Sequence, residues 1–88
     1  MRTLIFKLRG ITEMEIMYKR LKDLREDNDK SQAEIGTLLN TTQQQYYKYE
    51  KGIQELPTRH LKTLAKFYNT SADYILGLTN DSKPYKRV

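Results

Sequence analysis

Two predicted helices with a very short turn between them occupy residues 31–52 and constrain the fold most strongly. Ser31 and Glu34 have the Ser-x-x-Glu spacing of a capping box, in which each side chain bonds the other residue's backbone amide at a helix start. The apolar residues that follow on one face are Ile35, Leu38 and Leu39. They predict a helix of about two turns that ends near Asn40, because asparagine tolerates the left-handed conformation that terminates a helix.

The next helix starts directly after this turn. Thr41 or Thr42 can cap it, since each is followed by Gln three positions later. Gly52 is the residue type preferred just past a helix end. The pattern therefore predicts a helix from about Thr42 to Lys51, so the two helices are joined by only a few residues.

Three more helices are predicted around this pair, which makes the fold class all-α. The first covers roughly residues 13–26 and opens with a second capping-box pattern at Thr12 and Glu15. The fourth begins at Pro57, which fits a first-turn position, and a short fifth helix is capped by Ser71. The apolar stripes of the three helices contain Ile16, Met17, Leu21 and Leu24; Leu61, Leu64, Ala65 and Tyr68; and Tyr74, Ile75 and Leu78.

The composition suits one small globular domain, with 88 residues of which 38% are hydrophobic and 31% are charged. No apolar run approaches the roughly 18–20 residues that a membrane span needs, so we expect a cytoplasmic protein with no membrane partner. The chain has no cysteine and a single histidine, His60, which excludes thiolate nucleophiles and nearly excludes histidine metal sites. We expect no enzyme, no cofactor and no small-molecule ligand.

The net charge of +5 is distributed unevenly along the chain. Residues 1–25 carry seven basic and three acidic side chains, residues 26–56 carry three and six, and residues 57–88 carry six and two. A basic balance suggests a polyanionic partner. The middle of the chain is acidic, however, so charge alone does not identify it as a binding surface.

The outer face of the helix predicted over residues 42–51 carries side chains that can read DNA bases. If Tyr46 points inward with Tyr49 beside it, the opposite arc of the helix is polar. That arc contains Gln44, Tyr47, Lys48 and Lys51, with Gln43 at its N-terminal margin. An amide side chain can bond N6 and N7 of adenine in the major groove, and lysine can donate to guanine or to phosphate. We therefore predict a helix-turn-helix whose second helix reads bases.

Together these motifs resemble the phage Cro/repressor-type helix-turn-helix domains, also called Xre-like. The resemblance rests on the Ser-Gln-x-Glu opening at Ser31, the Tyr-x-x-Tyr-Glu-x-Gly close at Gly52 and the pattern over residues 56–68. It covers about residues 17–78. It implies a compact five-helix, lambda-repressor-like fold in a prokaryotic DNA-binding regulator, with the helix-turn-helix in helices two and three.

The resemblance also implies roles for individual positions. The family's base-reading positions match Thr42, Gln43, Gln44, Tyr47 and Lys48. Its phosphate-contacting positions match Gln32 and Lys51, together with the amides just after Gly52. The family also pairs an arginine of the first helix with the glutamate that lies two residues before the motif's final glycine. These positions match Arg25 and Glu50. Three roles remain open for Tyr47: contact with a thymine methyl, contact with a phosphate, or an uninvolved surface position.

Three positions depart from the family's usual residues: Gly36 replaces a common alanine, Asn40 a turn glycine, and Tyr46 an isoleucine or valine. Glycine still permits close helix approach, and asparagine still reaches the left-handed region, so neither changes the predicted fold. Tyr46 buries a ring whose hydroxyl needs a hydrogen-bond partner or a route to solvent.

The predicted function is sequence-specific binding of double-stranded DNA by a transcriptional regulator that acts as a repressor. A domain of this size contacts only a half-site, so we expect a homodimer on a palindromic operator. The dimer contact is expected around residues 74–85, with residues 1–11 as a second candidate. The alternative is a protein-interaction module, such as an antitoxin or anti-repressor, that uses the same fold to hold a partner protein.

The chain is expected to divide into three parts. Residues 1–11 form an N-terminal extension, either a flexible arm or a short strand, and residues 12–79 form the DNA-binding domain. Residues 80–88 form a basic tail, which we expect to be frayed because it shows no periodicity.

Overall fold

The computed structural model of the chain describes residues 18–86 and contains five helices there. They are α1 (Lys19–Asp27), α2 (Gln32–Leu38), α3 (Gln43–Glu50), α4 (Thr58–Phe67) and α5 (Ala72–Ile75). Residues 18–86 form no strand, which confirms the all-α prediction for this part of the chain. None of these helices is long and apolar enough to cross a membrane. The predicted N-terminal extension and the Thr12 capping box lie outside the described residues.

Side-chain caps start three of the five helices. At α2 the capping box is complete, because the Glu34 amide donates to Ser31 Oγ at 3.0 Å and the Ser31 amide donates to Glu34 Oε1 at 2.8 Å. Thr42 caps α3 by accepting from the Gln45 amide at 3.0 Å, so the cap is Thr42 rather than Thr41. Ser71 caps α5 in the same way.

A residue with positive φ follows the end of each helix. In chain order these residues are Asp29, Asn40, Gly52, Asn69 and Gly77, with φ between 53° and 79°. Asparagine, aspartate and glycine are the residues that reach this left-handed region most readily, and it stops a helix sharply. The predictions at Asn40 and Gly52 are confirmed.

The core lies between the five helices and contains one residue or more from each of them. Its buried apolar members are Tyr18, Leu21, Ile35, Leu39, Tyr46, Tyr49, Leu56, Leu64, Ala65 and Ile75. The hydroxyl of Tyr18 accepts a hydrogen bond from the Leu56 amide at 3.0 Å, which joins the start of α1 to the segment before α4. Core burial of Tyr46 and Tyr49 agrees with the inward face predicted for α3.

Gly36 allows α2 and α3 to approach closely. A Cβ atom at this position would lie 3.0 Å from the carbonyl oxygen of Thr42, a shorter distance than ordinary van der Waals contact. Either Thr42 or α2 would therefore have to move to accept an alanine. The contact fixes the separation of the two helices at the turn.

Helix α5 is shorter than predicted. It ends at Ile75, because Gly77 takes a left-handed conformation with φ of 79°. Leu78, which was expected on the apolar face of the helix, is 72% exposed. The prediction that Leu78 belongs to this face is therefore wrong.

Residues 77–86, which follow α5 and its C-cap, form no helix or strand, yet side-chain hydrogen bonds hold this segment to the domain. Arg20 of α1 donates to the carbonyl oxygens of Tyr74, at 2.9 Å, and Thr79, and to Asn80 Oδ1 at 2.6 Å. Its guanidinium also lies over the Tyr74 ring, 4.1 Å from the centroid. Two more bonds join Thr70 Oγ1 to the Ser82 carbonyl and the Tyr85 hydroxyl to Asp73. The expectation of a frayed tail is thus wrong for residues 80–85.

Candidate nucleic-acid interface

Helix α3 has one buried aromatic face and one exposed polar face. Tyr46 is fully buried at 0% exposure and Tyr49 is also in the core, so these two rings anchor the helix. The exposed residues on the other side are Gln43, Gln44, Tyr47, Lys48 and Lys51, and Thr42 at the N-terminal cap is exposed as well. The sequence-predicted residues of α3 therefore lie together on one accessible surface, which we call the outer face.

Two side chains of the outer face contact each other. The Nζ atom of Lys51 lies 5.8 Å from the centroid of the Tyr47 ring, within the range of a cation–π interaction. Lys51 is the C-cap of α3, and its amide donates to the Tyr47 carbonyl at 3.0 Å. The ammonium is thus held near the middle of the outer face.

A buried ion pair fixes the C-terminal end of α3. Arg25 Nε lies 2.6 Å from Glu50 Oε2, and Arg25 Nη2 donates to the second carboxylate oxygen at 3.3 Å. The two side chains are only 11% and 5% exposed. Arg25 also donates to the Lys30 carbonyl at 3.0 Å. One guanidinium therefore ties α1 to α3 and to the segment before α2.

Gln32 completes this polar cluster. Its Nε2 donates to Glu50 Oε1 at 3.1 Å. Burial alone would raise the pKa of the Glu50 carboxyl, but its interactions with Arg25, Tyr46 and Gln32 outweigh burial, and the pKa lies below its usual value. The hydrogen bond with Glu50 likewise raises the pKa of Arg25. The cluster is therefore charged on both sides at neutral pH.

Two tyrosine hydroxyls are buried beside the cluster. Within residues 18–86 neither the Tyr46 nor the Tyr68 hydroxyl has a hydrogen-bond partner of good geometry, but the Tyr46 hydroxyl lies near enough to the Glu50 carboxylate to interact with it. Burial, reinforced by the charge of Glu50, raises the pKa of Tyr68 to about 12. Burial raises the pKa of Tyr46 as well. Replacing the family's usual aliphatic residue by Tyr46 therefore places a polar atom in the core, next to the Glu50 carboxylate.

The amides just after Gly52 are not free donors. The Ile53 amide donates to the Lys48 carbonyl at 2.9 Å, and the Gln54 amide approaches the same oxygen at 3.4 Å. They close the C-terminal end of α3, as expected where a left-handed glycine terminates a helix. The phosphate contact that the resemblance implies for these amides stays a prediction.

The structure adds a hydrogen bond that the sequence did not predict. Gln45 Nε2 donates to Gln54 Oε1, and so links α3 to the segment that precedes α4. Gln45 is half-buried, whereas its neighbours Gln43 and Gln44 are exposed. The run of three glutamines gives no signal that separates them, because only the packing of α3 against the following segment distinguishes Gln45.

An open groove of about 760 Å³ lies between the turn after α2, the inner side of α3 and the first turns of α4. His60 lines it at 7% exposure, and its ring meets the Tyr49 ring edge-on at 5.9 Å. Burial, with a smaller contribution from Arg59, lowers the pKa of His60. Within residues 18–86 no three acidic or histidine side chains come close enough together to hold a metal ion.

A family model described as helix-turn-helix matches residues 21–75, more than half of the 88-residue chain. The chain belongs to the helix-turn-helix family. Its helix-turn-helix consists of α2, the turn at Asn40 and α3. The resemblance to Xre-like helix-turn-helix domains is thereby confirmed.

Two helix-turn-helix relatives come from Bacillus subtilis (strain 168). The HTH-type transcriptional regulator ImmR is 35% identical over 65 residues, which is 74% of this chain and 51% of the relative. YobD, described as an uncharacterized HTH-type transcriptional regulator, is 33% identical over 66 residues, which is 75% of this chain and 59% of the relative. The chain thus spans between half and three fifths of the length of these relatives. No solved structure matches the chain.

Proposed function

We propose that the chain is a transcriptional regulator that binds double-stranded DNA sequence-specifically, with α3 in the major groove, and acts as a repressor. The observation that carries this proposal is the division of α3 into two faces: Tyr46 and Tyr49 are locked in the core, while amides and lysines are exposed opposite them. A rigid helix with an accessible polar face suits direct readout of base edges. Both relatives are described as transcriptional regulators.

We assign base contacts to Thr42, Gln43, Gln44 and Lys48, with Tyr47 on the same face. Gln43 and Gln44 stand in the first turn of α3, and the N-terminal residues of a recognition helix are the ones that contact base edges. Each amide can pair with adenine, and Lys48 can donate to guanine. These contacts would supply the sequence preference.

Gln32 and Lys51 are proposed to contact phosphates on either side of the reading helix. One N–H of the Gln32 amide is engaged by Glu50, and the second N–H is the donor that would meet a phosphate oxygen. The position of Gln32 in the first turn of α2 favours an anion there. Such contacts hold the register of the protein on DNA without reading its sequence.

A homodimer on a palindromic operator follows from the small size of the reading surface. One domain reads a single half-site, and two half-sites about one helical turn apart give useful affinity. We place the dimer contact around residues 74–85, where Leu78 and Tyr85 are exposed. Residues 1–11 are the second candidate.

The alternative function is a protein-interaction module, such as an antitoxin or anti-repressor domain. The three basic and six acidic side chains of residues 26–56 favour it, because an acidic segment is repelled by phosphates. Gln43, Gln44 and Lys48 at the base-reading positions favour DNA instead. Salt dependence separates the two, since only DNA binding must weaken steeply as ionic strength rises.

The decisive experiment is selection of randomised duplexes by the purified 88-residue chain at physiological salt. Enrichment of one inverted repeat is expected. A folded protein that enriches no sequence would contradict the proposal and favour a partner protein, which co-purification would then identify. Lys62→Ala is a suitable control variant, because Lys62 is exposed on α4 and lies outside the proposed contacts.

A further inference from the structure

We propose that Tyr47 acts on DNA through Lys51: its ring holds the Lys51 ammonium on the outer face of α3, in position for a DNA phosphate. Tyr47 is then a positioning residue and contributes affinity rather than sequence preference. The inference rests on the proposed function, since it requires the outer face of α3 to meet DNA. This role differs from the three that the sequence leaves open for Tyr47, because none of those acts through Lys51.

The relative placement of the two side chains supports this role. Residues four apart lie on the same face of a helix, and a helical side chain leans toward the N-terminal end. Lys51 therefore reaches back over Tyr47, and its Nζ lies 5.8 Å from the ring centroid. The negative face of the ring attracts the ammonium at this distance.

The backbone at Lys51 leaves only the side chain free to move. The Lys51 amide donates to the Tyr47 carbonyl at 3.0 Å, and the next residue, Gly52, takes the left-handed conformation that closes the helix. The Lys51 backbone is thus fixed relative to Tyr47. Without the ring, the ammonium would sample the many rotamers of a lysine side chain, and binding DNA would have to select one of them.

Lys48 provides a matched control on the same helix. It is exposed like Lys51 and stands next to Tyr47 in the sequence. Adjacent residues of a helix do not face each other, so the Tyr47 ring cannot hold the Lys48 ammonium in the same way. Substitution of Tyr47 should therefore couple with Lys51 and not with Lys48.

The test measures binding of the full chain to two duplexes of equal length, the enriched inverted repeat and an unrelated sequence. Tyr47→Leu should weaken binding to both about two- to five-fold, which is the range expected for an exposed cation–π pair. Tyr47→Phe keeps the ring face and should bind within two-fold of the native chain. In a Lys51→Ala background Tyr47→Leu should have no further effect, whereas in a Lys48→Ala background its effect should remain complete.

Three outcomes would overturn the inference while leaving DNA binding intact. Equal weakening by Tyr47→Phe and Tyr47→Leu would show that the hydroxyl contacts DNA directly. A changed base preference in Tyr47→Leu would show that the ring reads a thymine methyl. A full effect of Tyr47→Leu without Lys51 would show that the two residues act independently. Absence of binding by the native chain to any duplex would instead overturn the proposed function, and this inference with it.

Discussion

Arg25 Nε and Glu50 Oε2 lie 2.6 Å apart, and this ion pair joins α1 to the last turn of α3, the helix that carries the outer face. The pair is almost fully enclosed, and Gln32 donates a third hydrogen bond into it. Because Glu50 precedes the C-cap Lys51 directly, the pair also determines where the outer face stands relative to α1 and α2. Glu50 therefore contributes both to the stability of the fold and to the position of the proposed binding surface.

Arg25→Ala should lower the free energy of unfolding by about 3–5 kcal/mol, because it leaves the Glu50 carboxylate buried without its cation. Urea unfolding followed by circular dichroism measures this loss. Lys22→Ala, an exposed position of α1, is the control and should change stability by less than about 0.5 kcal/mol. A loss below about 1 kcal/mol in Arg25→Ala would mean that the pair behaves like a surface salt bridge.

Gln44→Ala should relax sequence preference at one base pair and cost about 1–3 kcal/mol at that position. Gln32→Ala should instead weaken binding to all sequences alike, because phosphate contacts carry no sequence information. Binding to a set of single-base operator variants distinguishes the two patterns. An unchanged preference profile in Gln44→Ala would remove this residue from the base-reading set.

Tyr68→Phe should leave the protein equally stable or make it more stable, by up to about 1 kcal/mol, because it removes a buried hydroxyl that has no partner. Tyr18→Phe is the matched comparison. It strips the Leu56 amide of its acceptor and should destabilise the fold by about 1–3 kcal/mol. In thermal melts the unfolding midpoint of Tyr18→Phe should fall, whereas that of Tyr68→Phe should rise or stay unchanged. Equal destabilisation by both substitutions would show that the Tyr68 hydroxyl makes a hydrogen bond in the folded protein.

Stability should fall as the pH drops from 7.5 to 5.5, because the folded state lowers the pKa of His60 below its ordinary value of 6.5. The unfolded chain then binds more protons than the folded chain in this range. The part of the stability that depends on a neutral His60 is present above pH 6.5 and is lost as the pH falls below that value. In His60→Gln the midpoint of thermal unfolding should depend less on pH over the same interval. An identical pH dependence in both proteins would assign the effect to other groups.

Arg20→Ala should release residues 79–85 from the domain and lower stability by about 1–3 kcal/mol, since it removes several hydrogen bonds from one partly buried guanidinium. Hydrogen exchange of this segment should accelerate in the variant, while that of α3 should stay unchanged. Lys19→Ala, an exposed neighbour on the same helix, is the control. Unaltered exchange in residues 79–85 would show that the other two hydrogen bonds suffice to hold it.

Local signals in the sequence predicted the helix-turn-helix closely. The capping box at Ser31, the left-handed Asn40 and the terminal Gly52 each depend on residues within one or two turns, so the sequence contains the whole pattern. The same reasoning applied to Gly77 would have ended α5 before Leu78. The predicted helix was too long because the apolar spacing of Tyr74, Ile75 and Leu78 was extended beyond Gly77.

Contacts between distant segments could not be predicted in this way. Arg20 meets Asn80 across 60 positions of the sequence, and nothing in the tail's composition indicates that an arginine holds it. The bond between Gln32 and Glu50 depends on how α2 packs against α3. The hydrogen bond from the Ile53 amide to the Lys48 carbonyl likewise depends on how the backbone turns at the end of α3. Matching the sequence to the family's positions gives no information about this turn.

The Arg20 contacts also decide how a second module would be carried. A polypeptide joined at residue 86 would start one residue after Tyr85, whose hydroxyl donates to Asp73 at the start of α5. Its orientation relative to the reading helix would then be restricted, and a short linker would suffice to transmit that restriction. A fluorescent probe attached at Lys86, which is exposed, should accordingly tumble with the domain.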